Sequence, residues 1–520
     1  MRLSARIAAF SLTVTALIGA SGYGMALLIA DEDVPEAAEE FFAAWADGDL
    51  DKASRLTTDP QSALIALKAY KNRTHVTSVD FTPEKVDGSH VPFVVKARIS
   101  NESTTATWSY RSELDVSSDE GNGERIVWDP AIVHPKLSGR DSQTLETVVA
   151  APATPVVGRD GTALDTQDES LLSGVIRQLS ERYALKAGTA SLQVRLAPLF
   201  GKGGRDSETV AHLVTGKPAT IRTTIDPALQ RAAEAAVAGD TRASAIAIRP
   251  STGEVLAVAS PITSDMNPAL EGVEAPGSVF EIVTAAALLE QGAVTPTTRV
   301  DCPGQTSVSG TTFTNPKPAA AAGGGTFADV FATSCDTGFV DLADKLSPAA
   351  LADEAKDVFG LGLNWQTGVT TADGAVPELT GVDKAAAAIG RGEVRLNVLN
   401  LASVTATVKN GTFKQPQFVD ASMIGTDRAQ TERSLSGPIA QQLRDMMRRN
   451  ASHGTGAQTM TGISRTFSSM AGIAEQGTGR AAHAWFTAFS GDLAVAAVAT
   501  DNGRGVASAG DITRAILDAR

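Results

Sequence analysis

The feature that most limits what this chain can fold into is a Pro-Gly turn that feeds a serine into a long apolar run. Residues Ala275 to Gly292 read Ala-Pro-Gly-Ser-Val-Phe-Glu-Ile-Val-Thr-Ala-Ala-Ala-Leu-Leu-Glu-Gln-Gly. The Ala and Leu content predicts a helix, Pro276-Gly277 a turn that opens it, and Gly292 the residue that stops it. Ser278, at the start of that helix, stands where a serine acyl-transfer enzyme places its nucleophile. Ser278-x-x-Glu281 is also the pattern of a capping box. There the serine hydroxyl bonds a backbone amide one turn on and the glutamate reaches back to the serine amide. We expect that cap, which occupies the hydroxyl that would otherwise attack, although a Glu281 carboxylate is also able to take a proton.

Pro276-Gly277-Ser278-x-Phe280-x-Ile282-Val283-Thr284-Ala285-Ala286 resembles the active-site helix of penicillin-binding proteins, the D,D-transpeptidases of peptidoglycan synthesis. Their signature is Ser-x-x-Lys, then Ser-x-Asn, then Lys-Thr-Gly. The likeness continues in register over about 300 residues. Thr223-Thr224-Ile225-Asp226 with Leu229-Gln230, followed by Pro250-Ser251-Thr252-Gly253-Glu254-Val255-Leu256-Ala257, matches the opening of the transpeptidase domain. Ile389-Gly390-Arg391-Gly392 resembles an Ile-Gly-Gln-Gly segment that we read as serving the fold. The resemblance implies a five-stranded antiparallel sheet flanked by helices, an all-helical subdomain, and a groove between them.

At the three motifs the chain departs from the family. The first lysine is Glu281. Ser334-Cys335-Asp336 stands for Ser-x-Asn, so Ser334 survives as a possible proton relay while Asp336 replaces the amide donor. Met470-Ala471-Gly472-Ile473 stands for Lys-Thr-Gly-Thr, and only Gly472 is retained. With both acids ionised, these exchanges move the groove by about four charge units toward negative, against a substrate that brings a carboxylate. The backbone amides of Ser278 and Ile473, which the resemblance makes the oxyanion hole, are untouched by side-chain changes. The expected site is therefore Ser278 and Ser334 as catalytic positions, Glu281, Asp336 and Met470 as altered motif positions, and Gly472 and Ile473 as substrate-binding. The resulting expectation is a fold whose transpeptidase activity is lost, with an active serine transpeptidase or carboxypeptidase, acylated by penicillin at Ser278, as the alternative.

The rest of the chain fits a multidomain α+β protein. Arg2 and Arg6 precede an uncharged run from Ile7 to Ala30. That run is longer than the roughly 20 apolar residues a bilayer-spanning helix needs. We expect residues 1–30 to be a membrane anchor with the rest beyond the membrane; a cleaved signal peptide is the rival, given Ile18-Gly19-Ala20-Ser21-Gly22. Residues 31–136 place helical spacing around Pro35–Trp45 before alternating strands such as His90–Ile99. This order resembles the NTF2-like domain that precedes the transpeptidase in class B penicillin-binding proteins. Residues 137–217 are expected to form a linker or pedestal, with a helix near Glu169–Tyr183 and a glycine loop at Gly201–Arg205. Residues 218–520 are the expected transpeptidase-like domain.

The formal net charge of -14 argues against nucleic acid as a partner. No cofactor is expected, and no histidine has metal-ligand spacing to another, so no metal is expected either. Expected partners are cell-wall synthesis or division proteins, the membrane through the first 30 residues, and peptidoglycan stem peptide or β-lactam bound weakly or not at all. Cys302 and Cys335 are free to pair or to remain separate thiols.

Overall fold

The computed structural model describes residues 34–520 apart from 103, 120–122, 151–153, 165–170, 202–206, 262–265, 317–322, 463–465 and 475–480. The proposed membrane segment, 1–30, lies outside the described residues. Among those described, no helix is long and apolar enough to cross a membrane. The chain forms two compact units, one of residues up to 150 with 192–215, the other of 151–191 with 216–520. The stretch 137–217 is thus divided between the two.

In the smaller unit, helices Glu36–Ala46, Leu50–Arg55 and Pro60–Arg73 precede a four-stranded antiparallel sheet of Val76–Pro83, His90–Asn101, Thr104–Asp119 and Gly123–Val127, paired in that order. Asp49 and Asp59 cap the second and third helices by accepting the amides of Lys52 and Ser62. Along His90–Asn101 every second residue is buried, as a sheet with one covered face requires. Phe41, Phe42, Trp45 and Phe93 from helix and sheet share one aromatic core.

The larger unit is built on a five-stranded antiparallel sheet in the order Val255–Ala259, Ser244–Ile248, Leu493–Thr500, His483–Ser490, Ser468–Ala474. Two hairpins contribute to it, Ser244–Ile248 with Val255–Ala259 and His483–Ser490 with Leu493–Thr500, the second turning at Gly491 with φ 58°. Both faces of the sheet are covered, so its strands are buried along nearly their whole length. Leu256, Ala484 and Phe486 meet helices Pro227–Val237 and Ala507–Asp518. Ile246, Val258, Trp485 and Val498 belong to the other core, which includes helices Glu281–Glu290 and Val398–Asn410. Asp226 caps Pro227–Val237 through the amides of Ala228 and Leu229, with Pro227 in its first turn. The strand Ser468–Ala474 forms one edge of the sheet, and it is this edge that meets the serine turn.

Candidate active site

Pro276-Gly277 turns as expected, but the α-helix begins at Glu281, after a 3-10 turn over Gly277–Phe280. Three glycines let main chains crowd around that turn. A Cβ on Gly277 would lie 2.5 Å from the Ile473 carbonyl oxygen, one on Gly472 2.9 Å from the Ser278 amide, and one on Gly390 2.2 Å from the Gly277 carbonyl oxygen. Gly277 and Gly390 also hold φ of 62° and 66°, and the Gly277 amide donates to the Gly390 carbonyl at 3.0 Å. Gly472 and Ile473 therefore lie against the serine turn.

The expected cap between Ser278 and Glu281 does not form. The Ser278 hydroxyl donates instead to Asp336 Oδ1 at 2.7 Å, and Arg391 Nη2 donates to Asp336 Oδ2 at 2.8 Å. The cap is absent because Ser278 lies inside the 3-10 turn and Phe280 is the residue that precedes the α-helix, so Glu281 opens that helix instead of standing three residues into it. Glu281 is fully buried beside Asp336, with which its protonated form shares a side-chain hydrogen bond. Burial first, and then the neighbouring Asp336 carboxylate, push Glu281 well above the usual carboxylate range, with Arg391 pulling the other way.

That changes the expected charge of the site. Burial favours the protonated form of Glu281 and Asp336 is paired with the part-exposed Arg391, so the set is less negative than the motif exchanges imply. The large negative excess inferred from the motif exchanges assumed both acids ionised, which burial of Glu281 opposes. Arg391 was read as a folding residue, so its part in the site was missed. The available signal was the paired appearance of an acid at 336 and a base at 391 where the family pattern has neutral side chains.

Ser334 lies between the helices Phe327–Ala332 and Asp336–Leu342 with φ 49°, a left-handed conformation unusual for serine. Its hydroxyl donates to the Ala471 carbonyl at 3.1 Å and lies 3.4 Å from Thr455 Oγ1. It thus ties the turn to the edge strand, facing the same strand as Ser278. Between Ser334 and Asp336, Cys335 forms a disulfide with Cys302 across Cα atoms 6.1 Å apart. Thr337 reinforces that tie, its hydroxyl donating to Pro303 O at 2.8 Å.

Met470, at the strand-lysine position, is fully buried in an amide network rather than open to a ligand. Asn450 Nδ2 donates to Ala332 O and Thr455 Oγ1, both at 2.8 Å, and sits 3.8 Å from the Met470 sulfur. Ser469 completes it by donating to Asn450 Oδ1 at 2.8 Å. A thioether is a weak acceptor with no charge, so this wall offers a carboxylate nothing in place of an ammonium.

The family model for the penicillin-binding protein transpeptidase domain matches residues 243–518, just over half of the chain. The chain belongs to this family. A second model, the NTF2-like N-terminal transpeptidase domain, matches residues 34–141. Among curated relatives, the peptidoglycan D,D-transpeptidase PbpA of Mycolicibacterium smegmatis is 28% identical over 419 residues, covering 68% of this chain and 77% of that one. Two solved structures share the fold. Pseudomonas aeruginosa PBP2 superimposes with a TM-score of 0.58 at 21% identity, covering 72% of this chain and 96% of the other. The Helicobacter pylori PBP2 in a complex with MreC gives 0.52 at 18% identity, covering 64% and 69%.

Proposed function

We propose that this penicillin-binding protein homologue works in peptidoglycan synthesis as a binding or scaffolding partner rather than as a transpeptidase. The observation that carries the reading is the 2.7 Å hydrogen bond from Ser278 to Asp336, a carboxylate already held by Arg391. A serine hydroxyl needs a base able to take its proton at the moment of attack. A guanidinium favours the charged form of a carboxylate and so weakens it as a base. Glu281, whose burial favours the protonated form, is poorly suited to take the serine's proton. The wall that would hold a substrate carboxylate presents Met470. Partners among wall-synthesis proteins are supported by the family's structural neighbours, of which the Helicobacter pylori protein was solved with MreC. An extracytoplasmic position is supported by the Arg2/Arg6 and Ile7–Ala30 pattern and by the disulfide, since such bonds persist in oxidising compartments.

The same hydrogen bond favours one alternative, an enzyme in which Asp336 Oδ1 takes the Ser278 proton as Oγ attacks a carbonyl carbon. Intact-mass spectrometry after incubation with excess penicillin separates the two, with Ser278→Ala alongside. The scaffolding reading expects no adduct over hours. A stoichiometric penicilloyl adduct that Ser278→Ala lacks would overturn it.

A further inference from the structure

A cleft of about 380 Å³ opens at one end of the five-stranded sheet, within the size range of small-molecule sites. Ser244, Val498, Trp485 and His483 from three adjacent strands line it, with Glu274, Asn397 and Arg242 among its other residues. Its polar groups are mostly spoken for. Ser244 Oγ pairs with Ser260 Oγ at 2.9 Å, and the Asn397 amide nitrogen donates to Leu270 O and Ala372 O at 2.6 and 2.7 Å. Two are left over. Trp485 Nε1 and His483 Nε2 are buried and have no hydrogen-bond partner. The whole Trp485 residue is 1% exposed and His483 7%, so these are the kind of orphaned groups that demand an explanation.

Their chemistry is complementary. His483 Nδ1 is bonded to the Glu274 carboxylate, which accepts from the Nδ1–H. In the tautomer that donates from Nδ1 to that carboxylate, Nε2 is an acceptor, while the Trp485 indole N–H is a donor. Spaced two residues apart on one strand, they lie on the same face of the sheet. We infer that this cleft binds a small neutral ligand through a secondary amide, whose N–H donates to His483 Nε2 and whose C=O accepts from Trp485 Nε1. Both an acetamido sugar and a peptide bond supply that group.

The cleft is coupled to the serine turn without being part of it. Ser244 pairs with Val498, Val498 with Trp485, and Trp485 with Gly472, the residue pressed on the Ser278 amide. Glu274 lies four residues before Ser278 and is bridged to Leu396, next to Asn397. Binding there does not depend on whether Ser278 can be acylated, so the inference stands or falls apart from the proposed function.

The test uses the whole extracytoplasmic chain labelled with 15N-tryptophan, whose indole N–H signals are read during titration. N-acetylglucosamine and N-acetylalanine methylamide are the two amide probes and glucose the control, each to about 20 mM, the range where weak fragment affinities fall. Trp485→Phe assigns the signal, and saturable thermal stabilisation of the unaltered protein gives a readout needing no variant. The expected result is that one amide probe moves the Trp485 signal and glucose does not; which probe acts names the source. Ser278→Ala should bind equally well. Glu274→Gln, which no longer fixes the imidazole, should weaken binding about fivefold to tenfold, the loss of roughly one hydrogen bond. No shift and no stabilisation with either amide, or an equal response to glucose, overturns the proposal.

Discussion

Two buried glutamates of the larger unit face the same burial under different company. Glu354 is 2% exposed and takes Arg433 Nη2 directly at 2.7 Å, with Glu290 and Asp357 also close enough to act on the pair. Glu281 is fully buried and must share a single cation, Arg391, with Asp336, which holds it at 2.8 Å. Burial raises both acids above the ordinary glutamate range. Only at Glu354 is the rise opposed first by a direct hydrogen bond to the arginine. Whether the arginine bonds the glutamate itself, as at Glu354, or a neighbouring acid, as at Asp336, separates the two sites.

The sharpest way to break this comparison is to cut what holds Asp336 in place. The disulfide closes a separation of 33 residues next to Asp336, whereas no such tie is recorded at Glu354. Replacing Cys302 and Cys335 by serine should lower stability by about 4 kcal/mol in urea titrations, from the loop entropy released. Next comes the cation itself. Arg391→Ala leaves the fully buried Asp336 without its counter-ion and should cost about 3 kcal/mol. Arg433→Ala, at a pair whose arginine side chain is 42% exposed, should cost about 1 kcal/mol, since Glu354 can take up a proton. Equal losses would show that the two sites are not distinguished by their cation supply.

A pH series sharpens the contrast further. Because Glu281 has a raised pKa in the folded chain, the folded state holds a proton that the unfolded chain releases above about pH 4.3, the ordinary glutamate value. Stability from this group is therefore full below that pH and falls as the pH rises toward the folded value. Glu281→Gln should remove that slope, gaining on the unaltered protein by up to about 1.4 kcal/mol per pH unit over the window. A constant difference from pH 4 to 8 would mean that Glu281 is ionised when folded. The smallest effect is at Ser334, whose φ of 49° favours glycine. Ser334→Gly should be less destabilising than Ser334→Ala by about 1 kcal/mol in the same titrations, both losing the bond to Ala471.

Much of the frame was legible in the sequence because its signals are local. Asp226-Pro227 announces a helix start, alternation around Val91–Ile99 a strand, and Ser490-Gly491-Asp492 a hairpin, and each of these is a matter of a few neighbouring residues. The five-stranded sheet followed from the family resemblance, not from periodicity. The site was less legible since its deciding contacts are long-range. Ser278 and Asp336 are 58 positions apart, and Asp336 and Arg391 are 55. Locally, Ser278-x-x-Glu281 is a sound capping box, and nothing nearby in the chain shows that a distant carboxylate would win the hydroxyl. Burial, which pushes Glu281 above the usual carboxylate range, is likewise a property of the whole unit.

The three glycines around Ser278 have a consequence for how such a protein can change. The seat of the serine is set by main chains touching main chains, at Gly277, Gly390 and Gly472, and no side chain of the altered motifs takes part in that contact. Chemistry around the serine can then be rewritten one side chain at a time while the serine itself stays where it is. A chain of this build can drift from catalyst to recognition surface, or be walked back, by single substitutions through folded intermediates.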